Sequence, residues 1–226
     1  MGIAETLRVE RAPAPIRSRV LDNLRQAILE HKLVPGQRLI ERELVELTGV
    51  SRTSIREALR ELAAEGLVTT IPNKGTIVAK VTAEEARQLY QVRSALEALA
   101  GRLFVENATV AQRRALTNAL RAVERAAGKG APAMLAAKDK FYDVLFEGGG
   151  NEALRSIAGT LHARINLLRS LSLSRPGRAA ESLAELAEIV AAVASNDADA
   201  AAKACSHHVE AAGMAGFSAL TQEAAD

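Results

Sequence analysis

The sequence predicts a mainly α-helical protein. We expect an N-terminal winged helix-turn-helix, made of three helices and a two-stranded wing, followed by an all-helical antiparallel bundle of about six helices. Two β-prone runs, residues 67–71 and 76–81, surround a Pro-Asn-Lys-Gly turn. Three short amphipathic helices are expected before them, and after residue 82 apolar residues recur only at helical spacing. These observations predict two domains, residues 1–81 and 82–226.

The first three helices are bounded by turn residues. The first is expected to begin near Pro15 and to end before Pro35-Gly36. The second covers about residues 41–47, and the third follows Ser51, a good N-cap, to about residue 64. Two helices joined by a tight glycine-containing turn are typical of a helix-turn-helix. The turn at 72–75 has the chemistry of a hairpin, so the two strands form a wing.

The C-terminal part begins with a capping box at Thr82 and Glu85, and the same device recurs at Thr109 and Gln112. Connections near 128–132, 148–150 and 174–177 have the lengths expected in a helical bundle. Two of the predicted apolar stripes run through Leu89, Val92, Leu96 and Leu103, and through Leu154, Ile157, Leu161, Ile165 and Leu168.

Composition excludes several classes of protein. Of 226 residues 48% are hydrophobic, which is enough for a sizeable core, but no apolar run reaches the roughly 20 residues that a membrane span needs. We therefore expect a cytoplasmic protein without a membrane partner. Cys205 is the only cysteine, so there is no disulfide framework and no cysteine-based zinc site.

An enzyme is not expected. The sequence contains no glycine-rich phosphate loop, no nucleophile motif and only four histidines, without a pair of inward-facing carboxylates. The glycines at 148–150 follow a helix, whereas a nucleotide site requires a preceding strand. They are interpreted as a helix connection.

Positive charge lines one face of the third helix. Arg52, Arg56 and Arg60 are four residues apart, opposite the apolar face that carries Ile55 and Leu59. A cationic helix face of this kind suits the DNA backbone. The simpler alternative is an ordinary solvated surface on which Glu57, Glu61 and Glu65 pair with these arginines.

The start of the same helix has groups that suit phosphate and base contacts. Ser51, Thr53 and Ser54 supply hydroxyl groups next to open backbone N–H groups, which can bind phosphate oxygens and reach base edges in a major groove. Lys74, at the tip of the wing, is placed to reach the backbone or the minor groove.

The stretch LVPGQRLIERELVELTGVSRTSIREALRELAAEGLVTTIPNKGTIV closely resembles the DNA-binding domain of the GntR family of bacterial regulators, and the resemblance covers nearly all of residues 15–80. It implies that two elements touch DNA: the second helix and the start of the third. It also implies that the wing turn enters the minor groove. The implied contact residues are Arg42, Ser51, Arg52, Thr53, Ser54, Arg56, Lys74 and Gly75.

Residues 82–220 resemble the FCD effector domain of the FadR-like branch of this family, through VRSALE at 92–97, the segment 141–151 and SHHVEAA near the end. Many members of that branch hold a metal with an Asp-x-x-Phe-His motif and two further histidines, and the metal holds a carboxylate effector. Phe141 and Asn151 set the register of the motif. The first two ligand positions then fall on Lys138 and Tyr142, and counting back and forward from Asp197 puts the other two on Leu186 and His208.

Only one of these four residues is a metal ligand of the family pattern, and the lysine adds positive charge where the metal would sit. We therefore predict no metal and no other cofactor. A shifted set of Asp139, Asp143 and His207 or His208 is an alternative. Since both aspartates lie off the apolar stripe, they are expected to be solvated.

Lys138 and Tyr142 fall on the apolar stripe of their helix and should point into the bundle. A buried lysine needs a partner. In one interpretation the lysine reaches water or pairs with a structural acid such as Glu97. In the other, its ammonium replaces the metal and pairs with an anionic effector. The expected effector-binding residues are Arg93, matched to the family's pocket arginine by resemblance, together with Lys138, Tyr142, Arg164 and His208.

These patterns predict a sequence-specific transcription regulator, with repression as the expected mode. Its expected partners are a palindromic double-stranded operator, a second copy of the chain, and a small organic acid that modulates operator affinity. The alternative is a DNA-binding protein whose C-terminal domain only dimerises and has lost effector sensing.

Overall fold

The structure, a computed structural model, describes residues 15–29, 32–72 and 75–223. The structure does not describe a few side chains within these ranges, including that of Arg164. The N-terminal elements are α1 (Pro15–Leu29), α2 (Glu41–Thr48), α3 (Arg52–Ala64), β1 (Val68–Ile71) and β2 (Gly75–Val78). The C-terminal elements are α4 (Ala83–Asn107), α5 (Val110–Ala127), α6 (Ala131–Gly149), α7 (Glu152–Arg164), α8 (Asn166–Ser174), α9 (Arg178–Ala194) and α10 (Ala198–Glu223).

The N-terminal elements form the predicted winged helix-turn-helix. The Ser51 hydroxyl accepts the N–H of Ser54 at 3.2 Å and so caps α3, as predicted. Gly49 ends α2 in the left-handed conformation, with φ of 70°. Ile28 of α1 and Ile55 and Leu62 of α3 are fully buried, and they share one core with the buried Leu44 of α2.

The wing is a two-stranded antiparallel sheet in which Val68 faces Val78 and Ile71 faces Gly75. The sequence predicted a second strand that continued to residue 81, and this boundary is wrong. Since β1 starts at Val68, the last paired residue of β2 is Val78, and Ala79 after it makes one hydrogen bond, to the carbonyl of Leu67 at 2.9 Å. Arg38 forms an isolated bridge with Ile77 on the other side of β2.

The C-terminal elements form the predicted helical bundle, with α4 packed along α10 and α5 along α6. Thr82 caps α4 by accepting the N–H of Glu85, and Thr109 and Gln112 form a complete capping box on α5. The described chain has seven helices here, where about six were expected. The extra helix arises because the predicted apolar stripe is interrupted at Ile165, between α7 and α8. The backbone N–H of Ile165 is shared between the carbonyls of Leu161 and His162 at 3.2 and 3.3 Å.

Two residues of the predicted apolar stripes are exposed. Val92 is 50% exposed and Ile157 is 53% exposed, so their placement in the core was wrong. In α4 the inward positions next to Leu89 are taken by Arg93 and Glu97, which are almost fully buried. The periodicity of apolar residues could not indicate this, because the inner face of α4 is partly polar.

Two side chains of α8 connect the bundle to the N-terminal domain. The Ser170 hydroxyl donates to the carbonyl of Leu29, at the end of α1, at 3.0 Å. The Asn166 amide donates to the carbonyl of Glu65, just after α3, at 3.2 Å. Within the described part of the chain, no helix is long and apolar enough to cross a membrane.

Candidate functional sites

The outer face of α3 carries the predicted arginines. Arg52, Arg56 and Arg60 are exposed, while Ile55 and Leu59 on the opposite face are buried. This separation of a cationic face from an apolar face follows from the four-residue spacing.

Two ion pairs around α3 join it to the neighbouring helices. Arg56 places its Nε 2.9 Å from both carboxylate oxygens of Glu41, a residue of α2. Glu65 pairs with Arg25 of α1, through bonds of 2.8 and 2.6 Å. These two acids therefore connect α3 to its neighbouring helices.

The N-terminal end of α3 presents small polar side chains to solvent. The Ser51 and Ser54 hydroxyls lie 2.9 Å apart, and Thr53 is exposed between them. Arg42, on α2, is also exposed and lies 3.8 Å from Glu46. The first N–H groups of a helix lack intrahelical partners, so this end can accept phosphate oxygens.

The wing extends this surface. Gly75 is exposed and has φ of +82°, a conformation that favours glycine. Lys74, predicted at the wing tip, lies outside the described residues. Arg38 was missed by the sequence analysis, yet its guanidinium lies beside Gly75. Its position depends on the bridge to Ile77, and nothing in the local spacing of residues indicates such a pairing.

A second set of functional side chains lies inside the bundle. We call it the buried cluster, and it joins α4, α6, α7, α8, α9 and α10. Its members are Arg93, Glu97, Lys138, Tyr142, His162, Arg169, Arg178, Ser182, Glu185 and His208, each of which is buried.

One half of the buried cluster is centred on Glu97. Its carboxylate accepts hydrogen bonds from Arg93 and, at 2.8 Å, contacts His162 Nε2. Burial alone would raise the pKa of Glu97, but the charge of Arg93 and the bond to His162 hold it at about 2. Burial and the nearby Arg169 lower the pKa of His162 to about 4. Arg93 also donates to the Tyr142 hydroxyl at 2.9 Å.

The other half is centred on Lys138 and His208. The ammonium lies 2.8 Å from the Ser182 hydroxyl and 3.1 Å from His208 Nε2. His208 Nδ1 lies 2.5 Å from Glu185, which also receives two bonds from Arg178 at 2.8 and 2.7 Å. A neutral His208 that carries its proton on Nδ1 satisfies both contacts, because Nε2 can then accept from the lysine.

Burial lowers the pKa of Lys138 well below its usual value, and the charges of Arg169, Arg93 and Arg178 lower it further. Both hydrogen-bond partners of its ammonium, Ser182 and His208, are neutral. The cluster therefore holds a lysine that has no carboxylate within hydrogen-bonding distance among the described side chains.

Five buried polar atoms of the described side chains have no hydrogen-bond partner: Tyr90 Oη, Arg93 Nη1, Glu97 Oε2, Arg169 Nη2 and Arg178 Nε. Four of the five are donors, and three belong to arginines. The buried cluster therefore has an excess of donors over acceptors.

A cleft of about 440 Å³ opens next to the buried cluster. Tyr142, His162 and Arg169 belong to both the cleft and the cluster, whereas Asp143 and Arg155 line only the cleft. Burial and the neighbouring Asp139 raise the pKa of Asp143. The cleft therefore gives solvent access to one side of the cluster.

The residues at the expected metal position do not fit a divalent cation. Lys138 supplies a cation and Leu186 a fully buried hydrocarbon, which leaves Tyr142 and His208 as possible donors. Among the described residues, no group of three or more His, Cys, Asp or Glu side chains is arranged to hold a metal ion. The shifted set is not assembled either, because Asp139 pairs with Arg169 at 2.7 Å.

Comparison with known proteins matches both domains of the chain. Residues 16–78 match the bacterial regulatory proteins of the gntR family, and residues 88–211, more than half of the chain, match the FCD domain. The chain belongs to the gntR family of bacterial regulatory proteins. As a gntR-family protein with an FCD domain, it is a DNA-binding transcription regulator.

Several similar proteins cover most of the chain. An uncharacterized HTH-type transcriptional regulator of Bacillus subtilis, YdhC, is 28% identical over 84% of this chain and 85% of its own length. The HTH-type transcriptional repressor RspR of Escherichia coli is 26% identical over 87% of this chain and 86% of its own. The solved structure of E. coli McbR/YncC has the same fold, with a TM-score of 0.68 and 22% identity over 88% of this chain and 95% of that one.

Within this gntR-family regulator, the structure brings four of the five expected effector residues together. Arg93, Lys138, Tyr142 and His208 all lie in the buried cluster, while the side chain of Arg164 lies outside the description. Lys138 is only 5% exposed, so it neither reaches water nor pairs with Glu97, whose partners are Arg93 and His162.

Five members of the buried cluster were not anticipated. They are His162, Arg169, Arg178, Ser182 and Glu185. The last three are spaced four and three residues apart, which puts them on one face of α9. That spacing was a usable signal, since it places three polar residues on the same side as Leu186 and Ile189, which are fully buried.

Proposed function

We propose that this gntR-family regulator binds a small carboxylate-bearing metabolite in its FCD domain without a metal ion. Binding of this metabolite changes the affinity of the protein for its operator. We expect the protein to act as a repressor. The observation that carries the proposal is the buried Lys138, whose ammonium has only neutral hydrogen-bond partners.

The balance of buried charge supports an anionic ligand. The arginines of the cluster have carboxylate partners: Glu97 for Arg93, Glu185 for Arg178, and the half-exposed Asp139 for Arg169. Lys138 is the fourth basic side chain, and its hydrogen-bond partners are both neutral. A buried charge is costly unless it is paired, so this arrangement favours an anion that supplies the missing acceptors. Carboxylate oxygens suit both the arginine donors and the ammonium.

The donor groups without partners support the same class of ligand. Lys138 has three N–H donors and uses two of them on Ser182 and His208. Arg93 Nη1 and Arg178 Nε are buried donors without an acceptor among the described residues. A domain that only dimerises would gain stability by filling this volume with apolar side chains, since unpaired buried donors cost free energy.

The proposed DNA contacts lie on α2, the start of α3 and the wing, as the family resemblance implies: Arg42, Ser51, Arg52, Thr53, Ser54, Arg56, Lys74 and Gly75. One recognition helix offers too few contacts for tight, specific binding. We therefore propose a homodimer that reads a palindromic operator with half-sites about one helical turn apart.

Thermal melts test the ligand proposal. The protein is treated with a chelator, and its melting temperature is measured against a panel of mono-, di- and tricarboxylic acids. A ligand at 100 times its Kd stabilises the folded state by about 2.7 kcal/mol. For a chain of this size that corresponds to a rise of roughly 5–10 °C.

The expected result is that at least one carboxylate raises the melting temperature without metal. A rise that appears only after zinc is added would contradict the metal-free part of the proposal. No rise in either condition would favour the alternative, a C-terminal domain that only dimerises.

A further inference from the structure

The short helix α8 contacts both the buried cluster and the DNA-binding domain. Its first residue, Asn166, donates to the Glu65 carbonyl, and Arg169, one turn further on, lies in the cluster. The two side chains are bonded to each other, since Arg169 Nη1 donates to Asn166 Oδ1 at 2.9 Å. A continuous path of hydrogen bonds therefore connects the cluster to the end of the recognition helix α3.

The partner of Arg169 on the side that faces the cleft is a half-exposed carboxylate. Its Nη2 lies 2.7 Å from Asp139 Oδ1, but the geometry is not that of a hydrogen bond. The Asp139 side chain is 45% exposed, so water competes for its carboxylate. The guanidinium is otherwise buried and lies 5.7 Å from the centre of the Tyr142 ring. An anion in the cleft can therefore replace Asp139 as the partner of Arg169.

The Asn166 amide is engaged at both ends. Its oxygen accepts from Arg169, and its nitrogen donates to Glu65, the residue that caps the C-terminal end of α3. Because the two contacts share one planar amide, a movement of the guanidinium disturbs the bond to Glu65. Glu65 is itself fixed to α1 by Arg25, so the disturbance reaches two helices of the DNA-binding domain.

We propose that Arg169 binds the carboxylate of an effector that enters through the cleft, and that Asn166 transmits this event to the recognition helix. The proposal rests on the effector binding proposed above and specifies its regulation. The guanidinium and a carboxylate form a planar, two-bond pair, which would draw Arg169 away from Asp139 and Asn166. The second contact between the domains, from Ser170 to Leu29, does not involve Arg169. The domains therefore reorient about that contact and stay attached.

The test needs no effector. Asp139→Asn removes the charge that holds Arg169 and so mimics its release. Asp143→Asn is the matched control, because it makes the same change one turn further along α6 on a residue that also lines the cleft. The probe is a DNA duplex selected from a random pool by the wild-type protein, and the readout is its Kd for each full-length variant.

We expect Asp139→Asn to change the Kd for DNA by about fivefold or more, the lower range of allosteric coupling, and Asp143→Asn to leave it unchanged. In an Asn166→Ala background, Asp139→Asn should have no further effect. Asn107→Ala serves as the background control, since Asn107 makes the same type of amide–carbonyl bond, to Gly149 at 2.9 Å, within the FCD domain.

Equal effects of the two aspartate variants would overturn the proposal, and so would an effect of Asp139→Asn that persists without Asn166. A melting curve of each variant identifies any that fails to fold. Because the readout is DNA affinity alone, a result that overturns the path through Arg169 and Asn166 leaves the carboxylate proposal intact. Silence in the melting panel would contradict that proposal instead.

Discussion

Replacing Lys138 with methionine is the sharpest test of a metal-free anion site. Methionine keeps the length and most of the volume of the side chain and removes the charge and three donors. A hydrogen bond to a charged group contributes about 1.5–3 kcal/mol. Lys138→Met should therefore weaken binding of the carboxylate found in the melting panel by about 10- to 150-fold.

The same substitution should leave the fold intact. Ser182 and His208 each lose a hydrogen bond, worth about 1 kcal/mol. Removing a buried ammonium that has no carboxylate partner offsets this loss, because the desolvation cost disappears. The melting temperature without ligand should then stay within a few degrees of the wild type, at roughly 2–4 °C per kcal/mol.

Isothermal titration calorimetry measures the affinity for the carboxylate, and a fluorescence anisotropy titration measures the affinity for DNA. The matched control is Lys140→Met, the same change two residues further on, where the side chain is exposed. Both variants should bind DNA like the wild type, and only Lys138→Met should lose the ligand. An unchanged ligand affinity in Lys138→Met would refute the assignment of the ammonium to the anion.

Two further predictions concern DNA and pH. Arg52→Ala should weaken binding to the selected duplex by about 1–3 kcal/mol, measured by fluorescence anisotropy. Arg87 is an exposed arginine of the C-terminal domain, and Arg87→Ala should leave the affinity for DNA unchanged. Equal losses in the two variants would argue against a specific role of α3. The folded-state pKa values of His162 and Glu97 are depressed to about 4 and about 2, from 6.5 and 4.5, so the unfolded chain binds more protons as the pH falls. The free energy of unfolding should therefore decrease from pH 6.5 down to about pH 2, by at most about 1.4 kcal/mol per pH unit for each group. Urea titrations of His162→Gln should show a flatter dependence between pH 6.5 and 4, while the exposed His207→Gln keeps the wild-type slope.

The winged helix-turn-helix could be predicted from the sequence because local rules determine it. Ser51 had to cap a helix, Gly49 had to end one, and the four-residue spacing from Arg52 to Arg60 fixed one cationic face. The end of β2 could not be predicted in the same way. The end of β2 is set by its pairing with β1, and the local sequence of neither strand determines that pairing.

The buried cluster was only partly predictable. The stripe on α6 correctly placed Lys138 and Tyr142 inside the bundle, because helical periodicity alone decides that orientation. The partners of these residues come from distant helices, as in the contact between Lys138 and Ser182. No local pattern specifies such pairs. The interruption at Ile165 was missed because no proline or glycine marks it, and the apolar stripe continues across it.

The interruption at Ile165 determines how far a small movement is amplified. Since the N–H of Ile165 makes only two long hydrogen bonds, α8 can pivot as a stiff rod of nine residues, about 13 Å long. If α8 tilts about the contact between Ser170 and Leu29, Asn166 lies four residues, about 6 Å, from the pivot, so a tilt of about 10° displaces it by roughly 1 Å. That distance is enough to break the 3.2 Å bond between Asn166 and Glu65. A side-chain rearrangement of ångström size at the proposed effector site can thus reach the end of α3, the helix that is expected to meet the DNA groove.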